Sequence, residues 1–75
     1  MDSEYKFMAS FRGYPNWDEE TQKQALLMVY GFYVDNYGDD NLIEYLEEDL
    51  AIYEMRQEFE ICIILKELIY LAYDL

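Results

Sequence analysis

Residues 41–75 read NLIEYLEEDLAIYEMRQEFEICIILKELIYLAYDL, 35 consecutive positions without a glycine or a proline. Nothing in this run breaks a helix by backbone chemistry alone. As one helix it would be about 52 Å long, too long for a 75-residue chain folding as one domain over 1–75. A break is therefore expected between Asp49 and Glu58, with helices over 40–55 and 58–73. Leu42, Ile43, Leu46, Leu50 and Tyr53 recur at three- and four-residue spacing and make the core face of the first. Phe59 to Ile64 is rich in isoleucine and partly alternating, so a strand over 59–64 is the alternative.

Upstream, Asn36-Tyr37-Gly38 is a stop signal, with Gly38 suited to a left-handed cap. Asp39, Asp40 and Asn41 offer caps for the next helix, and Asn41 with Glu44 has capping-box spacing. A preceding helix is expected over 16–36. Gly13-Tyr14-Pro15 is the turn before it, Asn16 is its candidate cap, and Glu19 completes the box. Asp18, Glu19 and Glu20 suit the positive end of the helix dipole. Ala25 to Val34 is apolar on most faces, which predicts extensive burial. Gly31 interrupts it at a cost of about 1 kcal/mol relative to alanine; close packing on a neighbour or a kink would account for it.

Residues 4–12 alternate weakly, with Tyr5, Phe7, Ala9 and Phe11 on one side, and read as a strand or extended arm. The expected fold is thus mainly α: a small three-helix domain with an N-terminal arm. The alternative is α+β, pairing strands 4–12 and 59–64.

The charge is one-sided. The chain has 17 acidic residues, 5 basic ones and no histidine, for a net charge of −12. Between Asp35 and Glu60 stand ten carboxylates against Arg56 alone, −10 + 1 = −9 of that total. Such composition alone suits a disordered acidic tail, but 53% of residues are hydrophobic and 19% aromatic, which indicates a folded domain. On the expected second helix, Asp40, Glu44, Glu47, Glu54 and Glu58 recur at helical spacing, with Ala51 filling the gap. Neighbours lie about 6 Å apart, comparable with the roughly 3.4 Å charge spacing of a DNA strand. Like charges at this spacing cost about 0.2–0.5 kcal/mol per pair, so the pattern is expensive unless the charge is used.

Several chemistries are excluded by residue type. A calcium loop begun at Asp35 would need glycine sixth and glutamate twelfth; those positions hold Asp40 and Leu46. Zinc and di-metal carboxylate sites lack their histidines. No glycine-rich phosphate loop is present. The single cysteine, Cys62, lies among isoleucines and reads as a small buried hydrophobe. Neither enzyme activity nor a cofactor is expected. Direct nucleic-acid binding is disfavoured by charge sign and membrane surfaces by repulsion. The lack of a signal-peptide pattern and of a disulfide framework points to the cytoplasm.

The reading these features support is an acidic nucleic-acid mimic. It would occupy the basic surface of a DNA- or RNA-binding protein of the nuclease, restriction or CRISPR-effector class. In size, charge and aromatic content the chain is similar to the small acidic anti-restriction and anti-CRISPR proteins of phages and mobile elements, which share no common fold. The expected contact residues are Asp39, Asp40, Glu44, Glu47, Glu48, Glu54 and Glu58, with Tyr37 and Tyr45 beside them. The rival is an interaction module, such as an antitoxin, adaptor or regulatory subunit, that uses an apolar surface and keeps its acid for solubility. A homodimer through Ile61–Leu71 is compatible with either.

Overall fold

The run 41–75 breaks at Gln57. In the computed structural model, which describes residues 3–74, α3 (Leu42–Met55) and α4 (Phe59–Tyr73) form a helical hairpin across this point. The Gln57 N–H bonds the Glu54 carbonyl at 3.0 Å and the Glu58 N–H reaches the Tyr53 carbonyl at 2.9 Å. This is the Schellman pattern, with Gln57 in the left-handed position at φ 61°. The stop is made by backbone hydrogen bonds around a residue that sequence does not flag. The longest dimension of the molecule is 31 Å, which rules out a straight 52 Å helix. Residues 59–64 are helical, so the strand alternative there is corrected.

The first long helix, α2, spans Glu19–Tyr37. Its cap is Asp18, not Asn16: the Asp18 carboxylate accepts from the Thr21 hydroxyl at 2.5 Å and, more weakly, from its N–H at 3.4 Å. Those bonds hold the Asp18 carboxyl below its ordinary range. Asn16 instead closes a 3-10 turn over Tyr14–Asn16. At the other end Gly38 has φ 81° and ψ 162°, a region open only to glycine. A second 3-10 turn, Asp39–Asn41, leads into α3, and the Asn41 side chain makes no capping bond.

The N-terminal segment is also corrected. Ser3–Ala9 is helical (α1), and no strand occurs among the described residues. Alternation put Met8 on the outer side with Lys6, yet Met8 is fully buried. A helix turns Tyr5 and Met8 to one face, and bonds from the Phe11, Arg12 and Tyr14 N–H groups continue the turn to Phe11. Phe7 stacks on Phe32 of α2 with centroids 4.6 Å apart, which secures α1 to the domain. Met1, Asp2 and Leu75, the ends of the expected domain, lie outside the described residues.

Met8, Tyr14, Val29, Tyr33, Leu46, Ile61, Ile64 and Leu65 form the fully buried centre. All four helices contribute, with α3 against α4 the most extensive packing. Trp17 packs half-buried near Phe11 and Tyr14. Burial of α2 is narrower than its composition predicts. Only Ala25, Val29 and Tyr33 are buried, while Leu27 and Met28 are 70% and 57% exposed. Gly31 has nothing within 4 Å of the position a Cβ would take, so close packing within the chain does not explain it.

Candidate acidic interface

Each carboxylate is either held inside the fold or free on its surface, and tyrosine does much of the holding. Five tyrosine hydroxyls donate to five carboxylates: Tyr5 to Glu58, Tyr14 to Glu67, Tyr33 to Asp49, Tyr37 to Glu4 and Tyr73 to Glu47. The pairs connect different helices or turns. A chain with few cations satisfies buried phenols and partly buried carboxylates with each other. Burial, then the neighbouring carboxylate, keeps Tyr14 and Tyr33 protonated far above the ordinary phenol range. The same causes push Tyr37 up to about 12.

The expected row from Asp40 to Glu58 is broken by this arrangement. Helix α3 ends at Met55, and Glu58 turns inward. Arg12 donates to it through Nε at 3.0 Å and through Nη2 at 2.5 Å, and the Tyr5 hydroxyl adds a bond at 2.6 Å. The hydrogen bonds from Arg12, then from Tyr5, hold the Glu58 carboxyl below its ordinary range. Arg12 and Arg56 also lie over the Tyr5 ring, 5.7 and 5.5 Å from its centroid. Glu54 pairs loosely with Lys66 at 3.8 Å. Glu58 is thus engaged within the fold because the chain reverses and brings it to Arg12, whereas Glu54 stays exposed near the end of α3, apart from the acids at that helix's start.

Asp39, Asp40, Glu44, Glu47 and Glu48 remain together. All five are exposed, and among the described residues none takes part in an ion pair. Asp39 and Asp40 stand on the 3-10 turn, Glu44, Glu47 and Glu48 on the first two turns of α3. Asp40 to Glu48 covers about 13 Å along the axis. Tyr37 and Tyr45 are stacked beside the turn with centroids 4.1 Å apart and planes 12° apart. Tyr37 is half-buried and gives its hydroxyl to Glu4 at 2.9 Å, so its role is to brace the end of α2. Tyr45, also half-buried, is the other ring of the stack.

Sequence reasoning missed Glu4, Asp49, Glu60 and Glu67, acids that accept hydrogen bonds from other elements of the fold. Glu60 accepts the Gly13 N–H at 2.7 Å, joining α4 to the turn before α2. The available signal was compositional, nine tyrosines against five cations.

The second surface feature is apolar. Leu26, Leu27 and Tyr30 of α2 face Leu68, Leu71 and Ala72 of α4 across a groove of about 410 Å³, with Lys23 at its margin. In α4, Ile61, Ile64, Leu65 and Leu68 are committed to the chain's own core, leaving Ile63, Tyr70 and Leu71 exposed. Cys62 is buried, and desolvation, then Glu54, raises its thiol pKa. Among the described residues, no group of three or more histidine, cysteine or carboxylate side chains is placed to hold a metal ion. No described helix is long and apolar enough to cross a membrane.

No family model matches the chain, and no curated protein or solved structure is similar to it.

Proposed function

We propose that this protein is a non-enzymatic acidic inhibitor that occupies the basic nucleic-acid-binding surface of another protein. The observation that carries the reading is the set Asp39, Asp40, Glu44, Glu47 and Glu48, exposed on one turn and one helix start and in no ion pair among the described residues. Five charges from Asp39 to Glu48, over about 15 Å, match the roughly four phosphates that one DNA strand places over that length. The backbone there is helical, so only side-chain freedom, and not backbone freedom, is lost when the charges bind. Nuclease, restriction and CRISPR-effector proteins carry basic channels of the required sign, and anti-defence activity is the corresponding biological role.

The test is competition. A partner captured with the tagged chain is washed at graded salt, and its DNA affinity is then measured with and without the chain. Mimicry requires steep salt dependence and displacement of DNA. A partner whose DNA affinity is unchanged at saturating chain would refute it.

The groove between α2 and α4 favours a second reading, an antitoxin, adaptor or regulatory subunit that binds through apolar contacts. Reversal of charge at Glu44, Glu47 and Glu48 separates the two. Mimicry loses binding almost completely, whereas a groove binder keeps it and is sensitive at Leu27 or Leu71.

A further inference from the structure

One ridge of α2 carries Lys23, Leu27, Gly31 and Asp35, four residues at an exact four-residue interval, and its first two members also border the groove against α4. Lys23, Leu27 and Asp35 are exposed and Gly31 is half-buried. Among the described residues neither Lys23 nor Asp35 takes part in an ion pair. Leu27 is the large apolar knob of the ridge, and Gly31, with open space where a Cβ would be, is a recess one turn away. Helices pack along such four-residue ridges at interaxial distances of about 8–10 Å, and a glycine permits the closer end of that range.

This order is self-complementary. If a second α2 is laid antiparallel across a twofold axis at the level of Val29, residues equidistant from that level meet. Leu27 of each copy then enters the Gly31 recess of the other. Lys23, about 9 Å from the axis on one side, meets Asp35 at the same distance on the other. Both contacts occur twice, as an isologous interface requires. Met28, on the adjacent ridge, adds exposed apolar surface to the contact. A partner of other composition would account for the exposed leucine. It would not account for a knob matched to a recess, and a cation matched to an anion, under the same twofold operation.

We infer that the chain forms a twofold homodimer through α2, with Leu27 seated at Gly31 and Lys23 paired with Asp35 of the second copy. This surface is centred on α2 rather than on the Ile61–Leu71 segment, though Lys23 and Leu27 share a groove with Leu68 and Leu71, and it lies on a different helix from the Glu44–Glu48 face. It stands whether or not the mimic reading does.

Sedimentation equilibrium of the full chain, from about 10 μM to 1 mM, tests it with variants at exposed positions whose helicity is checked by circular dichroism. The wild type is expected to dimerise, and Gly31→Leu, which fills the recess, to weaken the dimer at least roughly tenfold. Asp35→Lys is the decisive single change. It lowers the net charge from −12 to −10, so general repulsion alone predicts tighter association, whereas the Lys23 pairing predicts weaker association. The double swap Lys23→Asp with Asp35→Lys should restore the dimer. A chain that stays monomeric throughout, a dimer indifferent to Gly31→Leu, or a double swap no tighter than either single variant would overturn the inference.

Discussion

Arg12 and Glu58, 46 residues apart, form a two-pronged ion pair that ties the turn after α1 to the start of α4. The pair removes from the surface a carboxylate that helical spacing places in line with Glu54. Its geometry is bidentate and Glu58 is only 18% exposed, which distinguishes it from an ordinary surface pair.

Glu58→Gln should destabilise the fold at neutral pH by about 1 kcal/mol. The folded-state pKa of Glu58 is depressed. Its contribution is therefore full above the unfolded carboxylate range and fades as pH falls through the folded value. Urea titrations at pH 7 and in strong acid should show the wild-type advantage at the first and its loss at the second.

Tyr14, Tyr33 and Tyr37 should ionise late in an alkaline titration followed by ultraviolet absorbance. Their folded pKa values are raised, Tyr37 to about 12. Their contribution is present below the unfolded value of about 10 and is lost as pH rises through the folded values. The expected trace has an early phase from exposed phenols and a late phase coincident with loss of helix. Tyr33→Phe should shrink the late phase and cost about 1 kcal/mol through loss of the Asp49 bond.

Gly31→Ala should stabilise the monomer by about 0.5–1 kcal/mol, since the site is mid-helix and a methyl group there meets nothing. Thermal melts at concentrations well below dimerisation measure this. A destabilised variant would mean that Gly31 serves the chain's own packing.

Replacing Glu47 and Glu48, which lie beyond the first turn of α3, by glutamine should raise stability, by about 0.2–0.5 kcal/mol for each like-charge pair with Glu44 relieved. The same variant should lose partner binding. A gain in stability together with a loss of binding is the result that identifies charge retained for use.

Gln57→Gly should also stabilise, by roughly 0.5–1 kcal/mol, because glycine adopts φ 61° without the side-chain clash. A denaturation midpoint that falls instead would show the Gln57 side chain to be needed at the hairpin.

The three long helices were legible in the sequence because their signals are local. Leu42, Leu46 and Tyr53 repeat at helical spacing and are buried. Gly38 stops α2 because its backbone conformation is open only to glycine. Even the break after Asp49 followed from length, since no domain of this size holds a 52 Å helix. Residues 4–12 misled because a short weak alternation suits a helix nearly as well as a strand, and the buried position of Met8 depends on what packs beneath it.

The fate of each charge was not local at all. Composition determined that carboxylates far outnumber cations, and spacing determined that Asp40, Glu44, Glu47 and Glu48 share one region. Only the tertiary structure decided that Glu58 goes to Arg12, Asp49 to Tyr33 and Glu67 to Tyr14, leaving five exposed acids near the start of α3, of which Glu47 accepts the Tyr73 hydroxyl. The physical reason is that helix periodicity is set by backbone geometry within a few residues. An ion pair or a phenol–carboxylate bond needs two distant segments brought within about 3 Å, and core packing alone makes that meeting.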